Sequence, residues 1–115
     1  MITIYHNPRC RKSREGLAVV EASGKPFKVV KYLDNRLSKS ELQQILATLS
    51  MGPMEIVRKQ EAIWKSEFKG KEMSEEMILN ALVEHPKLIE RPIVMYNQKG
   101  VIGRPSENIA DLLSD

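Results

Sequence analysis

Cys10 is the single cysteine of a 115-residue chain, and it lies in the run ITIYHNPRCRKSREGL, between a short apolar strand and a helix. A thiol in that place faces the free N–H groups of the helix's first turn. Those groups and the helix dipole favour thiolate over thiol, and they also suit a bound anion. His6, Arg9, Arg11, Lys12 and Arg14 crowd the same stretch. Lone cysteines are often small, buried and inert, and an apolar run would suit that fate. This run is basic and polar. It suits a sulfur that attacks an electrophile or lies beside something negative.

The spacing narrows the chemistry. Cys10 and Ser13 make C-x-x-S at a helix start. A C-x-x-C pair closes its own disulfide; this pair cannot, so a mixed disulfide on Cys10 needs a thiol from outside to resolve it. Ser13 either donates a hydrogen bond toward the sulfur or caps the helix. His6 is either an imidazolium that stabilises the thiolate or a solvated ring near a turn. Three later arginines stand out: Arg58 after a short helix, Arg91 before Pro92, and Arg104 before Pro105. A guanidinium fork gives a tetrahedral oxyanion paired, charge-assisted hydrogen bonds. Taken singly, each arginine reads first as a surface charge. Pro92, at a strand entrance, suits a cis bond of the kind found in tight turns.

The elements that must position these groups follow from period and punctuation. ITIY is a first strand, with Ile2 and Ile4 on one face. Pro8 stops it. A helix is predicted over about 11–23, burying Leu17, Ala18 and Val20, with Gly24 as its C-cap and Pro26 beyond. FKVVKY is a second strand, read as covered on both faces. Strand, crossover helix and strand make a parallel, right-handed unit. Ser38 and Glu41 form a capping box for a helix to about Leu49 that buries Leu42, Ile45, Leu46 and Leu49. Pro53 opens a short helix. KQEAIWKSEF reads as helical, anchored by Ile63, Trp64 and Phe68. Ser74 caps another helix to about Glu84, carrying Met77, Ile78, Ala81 and Leu82. PIVMY and VIG then form a hairpin across Asn97-Gln98-Lys99-Gly100. A last helix over about 105–113 turns Ile109, Leu112 and Leu113 inward.

The order is β-α-β, a block of helices, then β-β-α, which is an α/β mixed sheet with a helical insertion. The length fits one domain over 1–115. Eighteen Lys and Arg against fifteen Asp and Glu leave a net charge of +3. Without a basic block or zinc-finger spacing, that charge does not point to nucleic acid. One cysteine excludes an internal disulfide and a Cys-rich metal site, so no bound metal or cofactor is expected. No stretch reads as a membrane span, and the start MITIYHN lacks the marks of a signal peptide. A free thiol suits a reducing compartment, and a cytoplasmic protein with no membrane partner is the expectation.

HNP-x-C at 6–10, the helical insertion after the second strand, R-P at 91–92 and G-R-P at 103–105 together resemble the glutaredoxin-coupled arsenate reductases, the ArsC family of thioredoxin-like (glutaredoxin-like) fold. The resemblance covers nearly the whole chain. It implies that Cys10 attacks arsenate to form a thiol–arsenate adduct, that His6 lowers the cysteine's pKa, and that Arg58, Arg91 and Arg104 bind the oxyanion. Ser13 and Arg14 match supporting residues of the loop, as Pro92 does beside Arg91. The resemblance also implies glutathione as reducing co-substrate and glutaredoxin as partner. The chain departs from the well-studied members in carrying Arg11-Lys12 where they have Gly-Thr, which marks a divergent ArsC-like branch. The same superfamily holds Spx-like regulators that bind RNA polymerase. A regulator, or a non-catalytic thioredoxin-like binding module, is therefore the alternative to an enzyme.

Overall fold

The computed structural model describes residues 1–114. It divides into two compact units, one of residues 1–35 with 91 onward, the other Arg36–Glu90. In the first, β1 (Ile2–Tyr5) uses its alternation directly: Ile2 and Ile4 are fully buried, Thr3 and Tyr5 half-buried. α1 (Arg11–Ala22) carries the chain back to β2 (Phe27–Val30), which pairs parallel with β1, Ile2 opposite Phe27 and Tyr5 opposite Val30. β3 (Ile93–Tyr96) lies antiparallel on the other side of β1, with Tyr5 opposite Ile93. β4 (Lys99–Ile102) is antiparallel to β3, and α4 (Glu107–Leu113) closes the unit. The sheet order β2-β1-β3-β4, with helices packed on it, is the mixed thioredoxin-like architecture expected. Ile2, Ile4, Val20, Val94, Ile109, Leu112 and Leu113 form its core.

The register has a direct consequence for the site. Because β1 and β3 are antiparallel neighbours, the end of β1 and the start of β3 fall at the same edge. His6 extends β1 there, its N–H donating to the Val30 carbonyl at 2.9 Å. Arg91-Pro92 enters β3 from the same edge.

Four sequence expectations are corrected in detail. α1 buries Ser13, Gly16 and Val20, while Ala18 is exposed and Leu17 only partly covered. The cause is a close approach: a methyl group on Gly16 would lie 2.6 Å from Pro92 Cγ and 3.0 Å from Ile109 Cδ1. β2 is an edge strand, and Phe27 and Val29 are exposed; apolar composition alone does not separate a central strand from an edge one. The hairpin turn is two residues, Asn97 and Gln98, with φ of 52° and 64°, so Lys99 and Gly100 belong to β4. That pair of left-handed residues matches the twist of the flanking strands. Met77 faces solvent.

The second unit is helical. Ser38 and Glu41 make the reciprocal capping box, and α2 (Lys39–Leu49) buries Leu42, Ile45, Leu46 and Leu49 as its spacing requires. A short 3₁₀ turn follows at Pro53–Ile56. Trp64–Phe68 forms a single π-type turn rather than an α-helix. Trp64 is buried there and stacks on Phe68 at 5.5 Å. Ser74 caps α3 (Glu75–Glu84), accepting from the Met77 N–H. An antiparallel bridge between Val57 and Ile89 ties the segment after the 3₁₀ turn to the end of the unit.

Candidate active site

Cys10 is the N-cap residue of α1, with extended backbone at φ −97° and ψ 123°. Its N–H donates to the Asn7 carbonyl, and its own carbonyl accepts the Arg14 N–H, both at 3.0 Å. The loop is therefore fixed on both sides of the sulfur. An N-cap side chain normally accepts from the second and third N–H groups of its helix. Here those belong to Lys12 and Ser13. At sulfur's longer reach they do not make a conventional cap, yet they act on its charge in the same sense. Burial pushes the thiol's pKa up. The Ser13 N–H, a hydrogen bond from the Arg91 side chain, the Arg91 charge and the Lys12 N–H together outweigh that, and the net shift is downward. The sulfur stays partly accessible. A half-buried thiol whose pKa is lowered beside a guanidinium is a nucleophile placed next to an anion's counter-charge.

Ser13 does neither of the two things its position suggested. Its side chain is fully buried and engages His6 and Asn7. The hydroxyl oxygen accepts the Asn7 N–H at 3.0 Å and lies 2.6 Å from His6 Nδ1. The hydroxyl donates to a bare Nδ1 or accepts from a protonated one, according to the ring's tautomer, and in either case bridges His6 and Asn7. Ser13 thus ties the first turn of α1 to the end of β1.

His6 is corrected as to charge. The ring is 4 % exposed. Burial first, then the charges of Lys31 and Arg14, lower its pKa; the bond to Ser13 and the charge of Glu21 oppose this without reversing it. The ring is therefore neutral near neutral pH, and it is not among the groups that most favour the Cys10 thiolate. Arg14 spends its guanidinium on the loop, donating to the Pro8 carbonyl at 3.0 Å.

Of the three arginines, Arg91 reaches the sulfur. The Arg91-Pro92 bond is cis, as is Arg104-Pro105. Arg104 is exposed, between β4 and α4, and its carbonyl accepts from Asn108. Arg58 belongs to the second unit, where Nη1 donates to Glu61 at 2.6 Å and Nε lies 3.7 Å from Glu90.

Sequence reading missed Gly16, and it took Gly103 only as part of the G-R-P motif. A methyl on Gly103 would meet Ile109 Cδ1 at 2.6 Å and Pro92 Cγ at 2.9 Å. The two glycines let α1 and the start of α4 close on Pro92, which holds Arg91 beside the helix that carries Cys10. A glycine inside a helical pattern was the available signal, since it weakens a helix unless something needs the space. Glu61 and Glu90, the partners of Arg58, carried no signal.

The profile of the ArsC family matches residues 5–112. The chain belongs to the ArsC family. Among its ArsC relatives, an arsenate reductase of Neisseria meningitidis is 40% identical over 114 residues, covering 97% of this chain and 97% of that protein. An arsenate reductase of Escherichia coli is 34% identical over 118 residues, covering 99% of this chain and 82% of that protein. The solved structure of an arsenate reductase from Vibrio cholerae superposes with a TM-score of 0.91 at 39% identity, covering 96% and 95% of the two chains. The protein is thus an ArsC-type oxidoreductase with one cysteine. Among the described residues no group of three or more His, Cys, Asp or Glu is placed to hold a metal ion, and no helix is long and apolar enough to cross a membrane.

Proposed function

We propose that this chain reduces arsenate, or a related tetrahedral oxyanion, through Cys10, with glutathione and glutaredoxin supplying the electrons. The observation that carries the reading is the Cys10 sulfur itself, held toward thiolate by Arg91 and by the open end of α1. The arsenate reductases at 34 to 40% identity supply the substrate class. In this reading the thiolate attacks arsenic(V) and water leaves, giving a thiol–arsenate adduct. A glutathione thiolate then attacks Cys10 sulfur. The sulfur–arsenic bond breaks with its electron pair left on arsenic, so arsenic(III) departs and Cys10 is left in a mixed disulfide. Glutaredoxin's thiolate takes the glutathionyl group and frees the Cys10 thiolate.

Arg91 is the first oxyanion ligand of the proposal, and Arg104, an exposed residue between β4 and α4, is a second. Arg58 is the third, and it exchanges Glu61 and Glu90 for the substrate when it serves. His6 and Ser13 act as the brace that fixes the first turn of α1. Residues 1–115 work as one ArsC-type domain in the cytoplasm, without a metal, membrane or nucleic-acid partner.

The test is turnover with arsenate, glutathione, glutaredoxin and an NADPH recycling system. Activity that requires every one of these and is abolished by Cys10→Ser supports the proposal. Absence of turnover, with a tight complex to RNA polymerase that survives Cys10→Ser, would assign the chain to the regulators instead.

A further inference from the structure

Arg58 is fixed by its backbone before its side chain comes into play. Its N–H donates to the Leu88 carbonyl at 2.7 Å, and the Glu90 N–H donates to the Ile56 carbonyl at 2.8 Å, on either side of the Val57–Ile89 bridge. Two antiparallel segments are thereby laid side by side, with residues 58 and 90 on one face of the pair. The chain then turns, and the Glu61 N–H donates to the Arg58 carbonyl at 3.1 Å. That turn brings the Glu61 carboxylate onto Arg58 Nη1 at 2.6 Å, while Glu90 lies 3.7 Å from Nε. The side chains of Arg58, Glu61 and Glu90 are only 19%, 28% and 25% exposed.

Two carboxylates thus face one guanidinium, and they use its fork unevenly. Nη1 is bonded, Nε has a charge nearby but beyond hydrogen-bond distance, and no described residue accepts from Nη2. A guanidinium holds a carboxylate or a tetrahedral oxyanion best through two parallel bonds. Glu61 makes one.

We propose that Glu61, backed by the charge of Glu90, is a built-in competitor of the oxyanion at Arg58. This tethered carboxylate occupies the guanidinium until a tetrahedral dianion takes Nη1 and Nη2 together, and so it holds oxyanion affinity down. The proposal rests on the ligand role given to Arg58 above and adds what regulates it. The competition also bears on release. In that reading a charged arsenate becomes an uncharged arsenous acid, and the carboxylate retakes Arg58 once the charge is gone. A partly exposed pair three residues apart is weak enough to be displaced in this way.

The test uses sulfate, a tetrahedral dianion that a thiol does not reduce. It is titrated by calorimetry into the reduced protein at low ionic strength, and urea unfolding is measured on the same samples. Glu61→Gln keeps the shape of the side chain and removes its charge. Sulfate is expected to bind this variant roughly two- to fivefold more tightly, while its resistance to urea stays level or falls. A residue that merely supports the fold would weaken both. In the Arg58→Gln background the same change is expected to leave sulfate affinity unaltered. Glu67→Gln, which neutralises an exposed carboxylate of the same unit, is expected to leave it unaltered in the parent. Sulfate binding that is equal or weaker in Glu61→Gln would overturn the proposal. So would the same tightening without Arg58, or from Glu67→Gln. Sulfate binding indifferent to Arg58→Gln would remove Arg58 from the oxyanion site, and the proposal with it. Because sulfate is not turned over, a failure of arsenate reduction counts against the function proposed above and leaves this cycle standing.

Discussion

Ser13→Ala isolates the brace beneath the active loop. The substitution keeps the backbone N–H that favours the thiolate and removes only the hydroxyl. That hydroxyl satisfies two partners, the Asn7 N–H at 3.0 Å and His6 Nδ1 at 2.6 Å, at a position with no solvent access. A buried group left without its partner costs about 1–3 kcal/mol. Two orphans, partly relaxed by a turn of the His6 ring, give an expected loss of about 2–4 kcal/mol. Domain stabilities run roughly 5–15 kcal/mol, so the loss is large enough to measure without abolishing the fold. Urea unfolding read by Trp64 fluorescence gives the number, and thiolate absorbance at about 240 nm on the same variant gives the cysteine's titration. The expected pattern is a clear stability loss with a Cys10 midpoint still below about 8.5. A double-mutant cycle with His6→Ala should return a coupling of roughly 0.5–3 kcal/mol. A loss within about 0.5 kcal/mol, the range of ordinary surface changes, would refute the bridge.

Arg91→Ala removes both a hydrogen bond and a charge from the sulfur, so the thiolate midpoint should rise in the same absorbance titration; an unmoved midpoint would take Arg91 out of the site. Gly16→Ala places a methyl 2.6 Å from the rigid Pro92 ring. Overpacking costs about 1–3 kcal/mol, against a helix-propensity gain of up to about 1 kcal/mol, so a net loss of stability is expected in urea, and a gain would contradict the close approach. The acid limb of stability follows from His6. Its folded pKa is lowered below the unfolded value of about 6.5, so below that pH the unfolded chain binds a proton the folded ring resists. Stability therefore declines as pH falls, until the folded ring itself protonates. Urea midpoints from neutral to acid pH should fall less steeply in His6→Gln than in the parent, and parallel slopes would show that His6 carries none of the effect.

Much of the fold was legible because its signals are local. The alternation of Ile2 and Ile4, the Ser38–Glu41 box and the Leu42–Leu49 stripe each specify an element from a few neighbouring residues. What escaped depends on the surroundings. Whether β2 lies at an edge depends on which strands pair with β1. Lys99 and Gly100 resemble a loop in composition, so the sequence suggests a four-residue connection, while the two residues that turn the chain are Asn97 and Gln98. At the site, the thiolate setting of Cys10 was readable from its place before a helix. The state of His6 was not, because neutrality there comes from burial and from Lys31, which lies far along the chain. The tie between Ser13 and His6 is likewise a product of the β1–α1 approach, seven residues apart in sequence.

The most direct measurement is a single turnover without glutaredoxin. Reduced protein is mixed with glutathione and arsenate, and intact mass and arsenite are followed together. The expected result is one glutathionyl group on Cys10 for each arsenite released, with neither formed when arsenate is omitted or when Cys10 is serine. Arsenite appearing without the mixed disulfide, or the mixed disulfide forming at the same rate without arsenate, would contradict Cys10 as the residue that carries the reduction.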